Sequence, residues 1–84
     1  MHELSLALDL VEQVIEVLRR EQADRAVVVE VWIGDACGVD SEAFAFAFTE
    51  ATAGTALDGA QLRVLTGPDH RFVLTSIEVP SVPD

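Results

Sequence analysis

Val27-Val28-Val29-Glu30-Val31-Trp32-Ile33-Gly34 decides how this chain is read. The stretch is rich in β-branched residues and it alternates. Val27, Val29, Val31 and Ile33 point one way, and Val28, Glu30 and Trp32 the other. That is a strand with one buried face, placed from Ala26 to Ile33 and closed by Gly34. Trp32 stands on the minority face. It either packs under a helix on that side of the sheet or is an exposed anchor for a partner.

Working back from this strand, Gln22-Ala23-Asp24-Arg25 is a short connection. Before it, Leu4, Leu8, Val11, Ile15 and Leu18 recur at helical spacing, with Ala7 and Val14 widening the stripe. The spacing predicts a helix from about Leu4 to Glu21, with Glu3 at its positive end and Arg19 and Arg20 at its negative end. Working forward, the Gly34-to-Val39 segment is a loop, and Asp40 or Ser41 caps a second helix running to about Ala53. Phe44, Ala47, Phe48 and Ala51 share the inward face of that helix, and Phe46 falls roughly opposite. Phe44, Phe46 and Phe48 also alternate as a strand would, but the alanines around them favour helix. Gly54 is a natural stop.

Asp58-Gly59 is a turn, and Ala60 to Thr66 is a second strand with Leu62 and Val64 inward. Gly67-Pro68-Asp69 turns again. A third strand runs from His70 or Arg71 to Val79. Phe72 and Leu74 keep one phase of it, Ile77 and Val79 the other, so a bulge is expected near Thr75-Ser76. Pro80 and Pro83 end the structure. The fold class is α+β: two helices packed on a small three-stranded mixed sheet, in the order α-β-α-β-β, as one domain over residues 1–84.

Composition narrows the function. Fifteen acidic residues face five basic ones, all arginine, for a net charge of −10. A nucleic-acid binder needs a basic face, so nucleic acid is not an expected partner. The acids are dispersed and serve mainly solubility, while suiting cations or basic partners. The single cysteine, Cys37, excludes an intramolecular disulfide and a four-cysteine zinc site, and it reads as a small packed residue. No apolar run reaches the ~18 residues of a membrane span. Met1-His2-Glu3 lacks the basic start of a secretory signal, so the expected setting is cytoplasmic. No nucleophile–histidine arrangement has support, and no enzyme is expected.

The connections carry the functional argument. A short link makes the first helix antiparallel to the first strand. A strand–helix–strand crossover makes the first two strands parallel. Four separated pieces then meet at one end: Met1-His2-Glu3, the Asp35-to-Asp40 loop, the start of the second helix, and the Gly67-to-His70 turn. Together they bring an α-amine, His2, His70, Cys37 and the carboxylates of Glu3, Asp35 and Asp40. The α-amine, the His2 amide and the His2 imidazole can close fused chelate rings about one metal. The Glu3 amide, Asp40, His70 or water would complete a plane that suits Ni²⁺ or Cu²⁺. Asp40 reads equally well as a helix cap, and His70 as a solvated turn residue.

Met1-His2-Glu3-Leu4-Ser5-Leu6 followed by an amphipathic helix resembles the opening of the HypA/HybF hydrogenase nickel-incorporation proteins. The resemblance continues through Val27 to Gly34, Ser41 to Phe48, Gly59 to Val64 and Ser76 to Val79. It implies a nickel-binding metallochaperone that holds Ni(II) transiently for maturation of a [NiFe] hydrogenase. The implied partners are a nickel-binding GTPase and the hydrogenase large subunit. Met1, His2, Glu3, Asp40 and His70 are then the candidate metal ligands, with His2 and Glu3 also contacting the partner. The family places a zinc ribbon with two Cys-x-x-Cys pairs between its second and last strands, where this chain has only Leu65 to Arg71. No structural zinc is expected, and the strands on either side are free to join as a hairpin. A metal-free adaptor that kept the family's partner surface is the alternative reading.

Overall fold

The expected first strand is the centre of the sheet. The computed structural model describes residues 3–81. In it, α1 (Glu3–Arg20), β1 (Val28–Ile33), a 3₁₀ turn (Asp35–Cys37), α2 (Ser41–Thr52), β2 (Gln61–Leu65) and β3 (Phe72–Glu78) follow in order. The sheet order is β2-β1-β3, with β2 parallel and β3 antiparallel to β1. Val29, Val31 and Ile33 are buried in one core with both helices, so α1 and α2 lie on the same face of the sheet.

Two registers fix the inner face. Val29 pairs with Leu62 and Ile77, Val31 with Val64 and Leu74, and Ile33 with Phe72. On β3 the register passes from Glu30↔Ser76 to Val31↔Leu74, skipping Thr75. This is the expected bulge. It returns Phe72, Leu74 and Ile77 to one face although their spacing in sequence changes phase.

Three expectations need correction. First, β2 and β3 do not form a hairpin, because β1 lies between them. The crossover through α2 docks β2 parallel to β1 on one side and leaves the other side of β1 open. The 66–71 connection crosses the end of β1 to fill it. Second, the buried stripe of α1 is Ala7, Leu10, Val11, Val14 and Leu18, whereas Leu4 and Leu8 are about half exposed. At 100° per residue, Leu4, Leu8 and Ile15 run along one flank of that stripe rather than its centre. Third, Trp32 does not lie under a helix. It sits on the open face, half-buried beneath the 66–71 connection.

Sequence punctuation explains the helix ends. α1 stops with Gln22 in the left-handed region (φ 56°) and the Ala23 N–H donating to the Leu18 carbonyl at 2.9 Å, a Schellman ending without its usual glycine. In α2, Phe44 and Phe48 are buried and Phe46 is 70% exposed. The segment after α2, expected only as a turn, inserts Leu57 fully into the core. The Ala26 N–H donates to the Ala56 carbonyl at 2.9 Å and holds the segment there.

Candidate functional site

The site is built on the end of β1. Past Ile33 the chain turns through Asp35–Cys37, and the 66–71 connection lies along this turn. Three backbone N–H groups hold the two together: Gly34 donates to the Arg71 carbonyl, Asp35 to Gly67 and Ala36 to Asp69, each at 2.8 Å. The approach is so close that a side chain on Gly34 would overlap the Asp69 backbone, which is why a glycine is needed there.

Asp69 ties this region together. Its Oδ1 accepts from Trp32 Nε1 at 2.9 Å and from its own loop at Arg71 N, and its Oδ2 accepts from Arg71 Nε at 2.9 Å. The Arg71 guanidinium lies 5.3 Å from the Trp32 ring centroid, in cation–π range. The Trp32 indole donor acts most strongly on the Asp69 carboxyl and lowers it; desolvation opposes, and the weaker Arg71 backbone and side-chain donors and the Arg71 charge add to the lowering, so the carboxyl is held below its ordinary value. Sequence reasoning missed this residue. Its signal was an aspartate in a Gly-Pro-Asp turn opposite a tryptophan whose indole N–H requires a partner when partly buried.

From the same turn the chain passes through Val39 into α2. Asp40 is the N-cap, its Oδ1 accepting from Glu42 N at 2.9 Å and Ala43 N at 3.1 Å. The Asp40 N–H in turn donates to Glu3 Oε2 at 3.3 Å. The starts of α1 and α2 are therefore joined, and each carries an acidic side chain matched to its helix dipole. Cys37 is half-buried and packs against the core, as expected of a small packed residue.

The sequence candidates thus separate into three groups. Met1 and His2 lie outside the described residues. Glu3 and Asp40 are brought together. His70 is exposed on the 66–71 connection. Among the described residues no three of His, Cys, Asp and Glu form a group able to hold a metal ion. What the described residues supply is a pair of carboxylates, Glu3 directly after His2 and Asp40 hydrogen-bonded to it through its backbone N–H.

A family model described as hydrogenase/urease nickel incorporation, metallochaperone, HypA, matches residues 1–70. The chain belongs to the HypA family. The hydrogenase maturation factor HypA of Roseiflexus sp. (strain RS-1) is 38% identical over 84 residues, covering 100% of this chain and 68% of the relative. That of Prosthecochloris aestuarii is 38% identical over 64 residues, covering 76% of this chain and 57% of the relative. The chain thus spans between about 57% and 68% of the length of these two HypA relatives. The solution structure of the Ni metallochaperone HypA from Helicobacter pylori has the same fold, with a TM-score of 0.79 at 18% identity, covering 94% of this chain and 97% of that one.

Proposed function

We propose that this chain acquires Ni(II) at its N-terminus and passes it on during hydrogenase maturation. The α-amine of Met1 and the amide and imidazole nitrogens of His2 form the chelate. Glu3 and Asp40 supply oxygen donors at its border, and water or His70 fills the remaining position. The observation that carries this reading is the hydrogen bond from the Asp40 N–H to the Glu3 carboxylate. It fixes the residue next to His2 against the cap of α2, in a chain of the HypA family. Nitrogen and carboxylate donors suit Ni²⁺ in a planar or tetragonal setting.

Nickel is cargo here, so the ligands must also release it. Amine and imidazole both take up protons near neutrality, and protons compete with the metal. A thiolate would hold it harder, and none is needed in this set. The recipient we assign is a nickel-binding GTPase contacted through His2 and Glu3, acting for a hydrogenase large subunit in the cytoplasm. No catalytic residue is proposed, and neither is a structural zinc, because Cys37 alone cannot form a ribbon. Isothermal titration of Ni(II) into the chain and its His2→Ala variant tests the reading. The variant should lose tight binding and keep its helical spectrum. Equal tight affinity in both would remove the chelate, and no binding by either would favour the metal-free adaptor.

A further inference from the structure

Away from the metal end, the side of α1 facing the outer edge of β3 is not closed. A groove of about 540 Å³ lies there, floored by Val17, Leu18, Leu74, Ile77 and Val79. It continues past Val17 and Leu74 to a depression rimmed by Asp9, Glu12 and Glu16. Past Glu21 and Val79 it reaches a third, lined by Asp24, Arg25 and Pro80. α1 packs chiefly on α2, and so leaves Leu74 and Ile77 half-buried and Val79 47% exposed.

Two further observations define what fits this groove. β3 is an edge strand: β1 pairs with one side, and among the described residues no strand pairs with the other. The rim is acidic. Glu16 is held by Arg19 and Arg20, but Asp9, Glu12, Glu21 and Asp24 have no ion-pair partner among the described residues.

We propose that the groove docks an extended, basic segment of a partner protein. The segment adds as a fourth strand to β3 and seats alternate apolar side chains against Val17, Leu74 and Ile77. Strand addition supplies backbone hydrogen bonds, and the period-two alternation matches a groove on one face of the sheet. The unpaired rim carboxylates select lysine or arginine at the positions between. A second copy of this chain fits poorly, since it brings the same acidic rim and a net charge of −10. The bulge at Thr75 also interrupts the edge, a feature that discourages indiscriminate pairing. The site stands apart from the nickel reading, because its centre lies at the opposite end of α1 from Glu3.

The test uses the full chain labelled with ¹⁵N and two synthetic eight-residue peptides, one alternating valine with lysine and one alternating valine with glutamate. The lysine peptide should shift the amides of residues 72–79 and 17–23, slow hydrogen exchange along β3, and bind more weakly as salt rises. The surface double variant E12K/E21K should bind it about tenfold more weakly and gain affinity for the glutamate peptide. The proposal is overturned if neither peptide binds, or if the two bind alike. It is equally overturned if the shifts centre on residues 34–42, or if β3 becomes protected by self-association without peptide.

Discussion

Replacing Gly34 with alanine should detach the 66–71 connection from the end of β1. The new methyl would overlap the carbonyl and carboxylate of Asp69, and the main chain carrying that carbonyl cannot step aside alone. Three backbone hydrogen bonds of 2.8 Å, from Gly34, Asp35 and Ala36, hold the connection, together with the 2.9 Å bond from Trp32 to Asp69. At about 1 kcal/mol net for each bond, losing two to four of them costs about 2–4 kcal/mol. For a domain of this size that lowers Tm by about 10–25 °C. Gly38 is the control. A side chain there meets nothing within 4 Å but must adopt φ 77°, a penalty of about 1–2 kcal/mol. Urea unfolding by circular dichroism gives both values, and fluorescence of the single tryptophan, Trp32, reports whether the indole has become exposed. The reasoning fails if Gly34→Ala unfolds within about 0.5 kcal/mol of the parent, or if Gly38→Ala costs more.

Asp40→Ala removes the cap of α2 and should cost about 1 kcal/mol, most of it recovered in Asp40→Ser, as read from urea midpoints. Asp69 titrates below its ordinary value when folded, so the unfolded chain takes up its proton first. The stability it contributes is present above the ordinary carboxylate range and is lost as pH falls through that range toward the lower folded value. Unfolding midpoints measured between pH 6 and pH 2 should show a shallower acid limb in Asp69→Asn than in the parent, and parallel limbs would contradict the assignment. Gln22→Gly relieves the left-handed strain at the end of α1 and should raise stability by about 0.5–1 kcal/mol in the same assay.

How far the sequence reached depended on whether a feature was local. The alternation from Val29 to Ile33, the Asp40 cap and the bulge near Thr75 are written in neighbouring residues, and the structure carries all three, although Val28, expected on the open face, is also buried and Val27 precedes the strand. The partner of β3 is not local. Leu74 and Ile77 require an apolar face, but nothing in their spacing says whether β1 or β2 supplies it. The rotation of α1 was ambiguous for a similar reason, since Val11 and Leu18 belong to both candidate stripes. Leu57 sat inside a segment whose small and polar neighbours suggested only a turn. At the site, topology alone brought Glu3 to Asp40, because two helices antiparallel to one strand must begin at the same end. The clasp of Trp32, Asp69 and Arg71 was hidden by its separation in sequence, although a tryptophan on the open face already required some cover.

The central claim is that nickel is held by a chelate starting at the α-amine of Met1 and closing on the His2 imidazole. Electronic absorption of the Ni(II) complex tests it most directly, comparing the chain with a free α-amine at Met1 with the same chain acetylated on that amine. The account predicts a ligand-field spectrum of amine, amide and imidazole nitrogen in the first chain. In the acetylated chain that spectrum should be lost and binding weakened, while the fold stays the same, since the blocked amine can no longer close the first chelate ring. Identical spectra and affinities in the two chains would contradict it, and would place the nickel on side chains alone.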